Sequence, residues 1–191
     1  RVLGWRDVPV DSTIVGRLAR ATEPRVRQVV LAPVDAAVKG DALERELFLL
    51  RKLVEKAAPP ALGAAAPDFY VCTLSCRTIV YKGMLQSASL GPYYKDLADP
   101  RFESAFAVYH RRFSTNTTPR WPLAQPMRVL GHNGEINTLQ GNLNWVASRE
   151  GSLSAPAWGG READLMPLCD ATASDSANLD RLAELLVLSG T

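Results

Sequence analysis

Gly131-His132-Asn133-Gly134-Glu135 is the stretch on which the reading of this chain turns. Met127 to His132, leading into it, has strand character, and Asn133-Gly134 is a turn-forming pair. Upstream, Arg112-Phe113-Ser114-Thr115-Asn116 closes a second strand-like segment. In that segment, Glu103 to Phe113, residues Phe106, Val108, His110 and Arg112 alternate with Ala105, Ala107, Tyr109 and Arg111. A guanidinium at a strand end offers a planar fork that matches a carboxylate. A side-chain amide beside a glycine, where a backbone N–H can also approach, can hold a developing oxyanion.

Each motif alone also has a plain structural reading. Arg112 could pair with a surface carboxylate, Asn133-Gly134 could be only a turn, and His132 beside it a packed or solvated ring. His110, alternating with apolar residues, reads as a satisfied core position. A third string, Ala173-Ser174-Asp175-Ser176, precedes a helix, where Ser and Asp are favoured caps. Asp175 could also hold a substrate ammonium.

Working outward, Val2 to Arg6 and Arg25 to Ala32 read as strands. Ser12 to Ala21 reads as a short helix with Asp11 or Ser12 as its cap. Asp41 to Ala57 is the clearest helix, with Leu43, Leu47, Leu50 and Val54 on one face and Pro59-Pro60 as its stop. Phe69 to Leu74 and Arg77 to Tyr81 read as a hairpin or one bent strand. Thr138 to Arg149 is a helix that Asn137 can cap, and Asp175 to Leu188 an amphipathic helix. No repeat or second-domain boundary is visible. The mixture, without a running βαβ alternation, fits an α+β domain with largely antiparallel strands.

At 191 residues the chain is long enough for one ordinary core. An apolar fraction of 47% and a charged fraction of 22% are those of a soluble globular protein. A net charge of +2, with the basic residues scattered, gives no field for nucleic acid or a membrane surface. No apolar run is long enough to span a bilayer, and there is no signal-peptide core. Three cysteines and two histidines make no metal pattern, so no metal is expected. Reduced thiols in a cytoplasmic protein are the simplest reading.

Taken together and in order, these strings resemble the glutaminase domain of the class II, N-terminal-nucleophile glutamine amidotransferases. Within that group the likeness is closest to the large chain of the glutamate synthase family. It is carried by Gly4-Trp5-Arg6-Asp7-Val8-Pro9, Tyr81-Lys82-Gly83-Met84 and Arg101-Phe102-Glu103-Ser104-Ala105. It continues through His110-Arg111-Arg112-Phe113-Ser114-Thr115-Asn116-Thr117, Trp121-Pro122-Leu123-Ala124-Gln125-Pro126, and Gly131 to Thr138 followed by Gly141-Asn142.

The resemblance implies a four-layer αββα sandwich, of which residues 1–191 would be part, as a single domain truncated at both ends. It implies L-glutamine as substrate, with Arg112 on the α-carboxylate and Phe113 and Thr115 assisting. Asp175 would hold the α-ammonium, and Asn133 and Gly134 would form the oxyanion hole. The family's nucleophile is a cysteine at the mature N-terminus, activated by its own α-amino group. Residue 1 here is arginine, so the resemblance places that cysteine outside this chain, which alone is expected to be inactive. No cofactor is expected in these residues. In the full-length enzyme, FMN and an iron–sulfur cluster are implied in synthase domains of the same chain. A small reductase subunit or ferredoxin would be the electron-donating partner. Two other readings stay open: a glutamine-binding relic without a nucleophile, and another class II amidotransferase.

Overall fold

The computed structural model describes residues 1–111 and 118–190, without side chains at 67 and 68. Arg112, Phe113 and Thr115 therefore lie outside the described residues. Strand β1 (Val2–Asp7) pairs antiparallel with β2 (Arg27–Leu31), in the register Trp5 to Val29 and Asp7 to Arg27. Side chains reinforce the ladder: Arg6 Nε donates to Gln28 Oε1 at 2.6 Å, and Arg25 holds Asp7 through two nitrogens. Between the strands lie a 3-10 turn, Ser12–Ile14, capped by Asp11, and the short helix α1 (Arg17–Arg20). The single helix expected over Ser12 to Ala21 is thus broken at Val15, which is extended and buried.

Helix α2 (Asp41–Leu62) runs past the expected stop at Pro59-Pro60. Two prolines near a helix end remove two backbone donors. The surrounding Ala57, Ala58 and Ala61 favour helix strongly enough to carry the last turn. Its buried face matches the expected one only in part, at Leu47. Leu50 and Val54 are exposed, whereas Phe48, Leu49, Arg51 and Lys52 are buried. The reason is electrostatic. Arg51 ion-pairs with Glu184 of helix α6 (Asp175–Ser189) and, at 3.3 Å, with Glu55 of its own helix. A partnered arginine can be buried where its stem packs, here with the guanidinium over Phe48.

Two apolar clusters result. One gathers Val8, Val15, Ala19, Tyr93, Tyr94 and Trp121, with Tyr93 in the short helix α3 (Leu90–Tyr93). The other joins α2 to α6 through Phe48, Leu49, Trp158, Leu185 and Leu188, and includes Leu165 of α5 (Glu162–Leu165). Between α3 and α5 in sequence lies α4 (Leu139–Glu150). Thr138, at φ +62°, is its N-cap in place of Asn137, whose carbonyl instead accepts from Asn142 Nδ2.

The first cluster explains two of the sequence strings. A Cβ on Gly83 would meet the Trp121 ring at 2.4 Å, so only glycine permits this approach. Lys82 Nζ donates to Pro122 O at 2.8 Å, and Tyr94 Oη donates to Lys82 O at 2.7 Å.

Helices and a sheet are both present, so the mixed α+β class holds. The described sheet is one two-stranded ladder. Phe69 to Tyr81, Glu103 to Arg111 and Met127 to His132 do not form the expected strands among the described residues. Alternating side chains define a strand only when a neighbour takes up its N–H and C=O groups, and these segments have no ladder partner there. Their other fastenings are side chains, described next.

Candidate active site

Helix α6 begins where Ser174 accepts the Ala177 N–H at 3.2 Å. Because Ser174 is the cap, Asp175 is available for other work. Its Oδ1 accepts the Ser176 N–H at 2.6 Å, and its Oδ2 accepts the Ile136 N–H at 3.2 Å. The second bond ties the helix start to the loop carrying Asn133 and Gly134. A carboxylate at a helix N-terminus is stabilised by the exposed N–H groups there.

One and a half turns further along, Asp180 secures the other end of that loop. It is 1% exposed and accepts three consecutive backbone N–H groups: Arg128 at 3.1 Å, Val129 at 2.8 Å and Leu130 at 3.0 Å. Arg128 in turn donates to Glu55 of α2 at 3.2 Å and to Val71 O at 2.6 Å. Burial lowers the Arg128 pKa, and the nearby Arg51 adds to that, while Glu55 opposes it. At Glu55 burial acts upwards, but the cations of Arg51, Arg128 and Arg181 together hold the carboxyl below its usual range. So Met127 to Leu130 is held by a charged layer rather than by a sheet. Gln125 then accepts the His132 N–H at 2.9 Å, which fastens the Trp121 to Pro126 loop to the same segment.

At the loop itself, His110 Nε2 lies 2.7 Å from Asn133 Oδ1 and 3.0 Å from His132 O. Asn133 is exposed. The Gly134 N–H donates to His132 Nδ1 at 3.1 Å. Of the two donors an oxyanion hole needs, the Asn133 amide is at the surface and the Gly134 N–H is turned to the imidazole. A Cβ at position 134 would meet that ring nitrogen at 3.3 Å, so glycine suits this close approach.

Asn133, Gly134 and Asp175 are thus brought to one loop. A cavity of about 530 Å³ lies elsewhere, lined by Tyr70, Cys72, Lys82, Arg128, Asp180 and Arg181 among others, without those three residues. Arg128 and Arg181 there pair with Glu55, Asp180 and Asp170, and Lys82 donates to Pro122 O.

All three described thiols have pKa values shifted above the usual cysteine range. Burial pushes Cys72 up, a hydrogen bond with Glu44 does so at Cys76, and burial again at Cys169. No group of three or more His, Cys, Asp or Glu among the described residues is placed to hold a metal ion.

The whole chain, residues 1–191, matches the family described as "Glutamine amidotransferases class-II". The chain belongs to this family. Among its relatives, the chloroplastic ferredoxin-dependent glutamate synthase of Oryza sativa subsp. japonica is 57% identical over 189 residues. That match covers 99% of this chain and 12% of the relative. The chloroplastic ferredoxin-dependent glutamate synthase 2 of Arabidopsis thaliana is 58% identical, with 99% and 11% covered. The large chain of the NADPH glutamate synthase of Azospirillum brasilense is 45% identical, with 99% and 12% covered. This class II amidotransferase chain therefore spans 11–12% of the length of these relatives.

Three residues that the sequence did not mark as candidates contact or support the Asn133-Gly134 loop. His110 is half-buried and bonded to Asn133 rather than enclosed in a core. His132 is bonded to Gly134, and Asp180 carries the loop's base. A signal for His110 was present, since it shares the alternating face that ends at Arg112. Asp180 lay within a helix pattern and gave none.

Proposed function

We propose that the chain is the glutamine-hydrolysing portion of a glutamate synthase, releasing glutamate and ammonia from L-glutamine. In this reading Arg112 takes the α-carboxylate, assisted by Thr115 and the backbone around Phe113, and Asp175 takes the α-ammonium. Asn133 Nδ2 and the Gly134 N–H receive the oxyanion formed when a thiolate attacks the carboxamide. The Gly134 N–H reaches it by exchanging His132 Nδ1 for the substrate oxygen. The nucleophile is an N-terminal cysteine outside residues 1–191, consistent with the raised pKa values of all three described thiols.

The observation that carries this reading is the Ile136 N–H bond to Asp175. It joins an ammonium anchor to an oxyanion loop through residues 39 positions apart. The ammonia would then be used with 2-oxoglutarate in synthase domains of the full-length protein, where bound FMN and an iron–sulfur cluster would relay electrons from an external donor. Ferredoxin is the preferred donor partner, in keeping with the names of the rice and Arabidopsis relatives, and a small reductase subunit is the alternative. We also propose the four-layer αββα sandwich for the complete domain. No helix described here is long and apolar enough to cross a membrane. A cytoplasmic location belongs to the same reading, although several relatives are named as chloroplastic.

The test is glutamate release from glutamine by the full-length enzyme, with Arg112→Lys as the informative variant. An ammonium loses the two-pronged fork, so the KM for glutamine should rise about tenfold or more. A wild-type protein that does not hydrolyse glutamine, or a variant with an unchanged KM, would contradict the reading.

A further inference from the structure

The contacts of one imidazole determine which way the Asn133 amide faces, an inference that rests on the oxyanion role given to Asn133 above. His110 Nε2 is 3.0 Å from His132 O and 2.7 Å from Asn133 Oδ1. A backbone carbonyl only accepts, so Nε2 must carry the hydrogen. An unprotonated Nε2 would set its lone pair against that of the carbonyl. The same N–H is shared with Asn133, so the amide oxygen faces the ring and Nδ2 points away from it. Without such a partner the terminal torsion of asparagine is broad and roughly two-fold. Of its two orientations, one presents a donor to an oxyanion and the other presents an acceptor that repels it.

We propose that His110 is a positioning residue, which holds the Asn133 amide with its N–H₂ toward the substrate. It acts through Asn133 and moves no proton. Its Nε2–H is present in both the neutral tautomer that donates here and the imidazolium, so the contact survives either state.

Glutamine hydrolysis by the full-length enzyme, compared across single and double variants, tests this. His110→Ala should lower kcat about tenfold, the scale of one lost hydrogen bond, with KM for glutamine little changed. His110→Asn, polar but too short to reach Asn133, should fall with it. His110→Gln carries an amide N–H at the reach of Nε2 and should keep kcat within about threefold of wild type. In the Asn133→Ala background, His110→Ala should cost nothing further, because the two act as a unit. A wild-type kcat in His110→Ala overturns the proposal, as does an additive loss in the double variant. So does His110→Gln as impaired as His110→Ala, the pattern of an imidazole that transfers protons. If Asn133→Ala itself hydrolyses glutamine normally, the oxyanion reading fails, and this inference with it. If Asn133→Ala is impaired and His110→Ala is silent, this inference alone is overturned.

Discussion

Asp175 and Asn133 approach the same loop from distant parts of the chain, and each has a separate duty. Ser174 takes the capping role at α6, so the Asp175 carboxylate serves the Ile136 N–H and, in the proposed function, a substrate ammonium. Asp175→Asn keeps one acceptor oxygen for the two N–H groups of Ile136 and Ser176, and loses the charge. A hydrogen bond to a charged group is worth about 1.5–3 kcal/mol, so KM for glutamine should rise about tenfold or more with kcat little changed. Steady-state kinetics of the full-length enzyme checks this, and an unchanged KM would remove the ammonium role. At this scale the sequence was informative where a residue's chemistry is unusual for its place. An amide beside a glycine and an acid before a helix both stood out. His110 did not, because an alternating histidine looks like a core residue until its partner is known.

Among the elements, the longer helices and the strands over Val2 to Arg6 and Arg25 to Ala32 were legible, while the helix over Ser12 to Ala21 and the later extended segments were not. Helix periodicity is local: α6 was expected over Asp175 to Leu188 and spans Asp175–Ser189. A strand depends on a partner that the sequence does not name. Val2 to Asp7 has one in Arg27–Leu31. Glu103 to Arg111 has none among the described residues, and Phe106 and Tyr109 there are largely exposed. On α2, Leu47 of the expected face is buried, but Phe48, Leu49, Arg51 and Lys52 are buried beside it and Leu50 and Val54 are exposed. For Met127 to Leu130 the role of a ladder is taken by Asp180, which satisfies three N–H groups at once. Asp180→Ala leaves those donors and the Arg128 side chain short of a partner, at a cost of about 3 kcal/mol. Hydrogen exchange on the full-length enzyme should then show faster exchange at Arg128, Val129 and Leu130. Unchanged protection there would mean that something other than Asp180 holds the segment.

For the whole molecule, a charged layer lies between α2 and α6 and passes through Arg128 to the loop that bears Asn133. In the proposed function, Asp175 at the start of α6 and the Asn133 loop tied to it recognise the substrate, while the cavity beside that layer takes no part in the chemistry. Family membership rests on the match over residues 1–191. The proposed reaction rests on the oxyanion role given to the Asn133 loop. The direct measurement is steady-state glutamine hydrolysis by the full-length enzyme carrying Asn133→Ala. Removing one oxyanion donor should lower kcat about a hundredfold or more, with only a modest change in KM. A near-normal kcat would contradict the account.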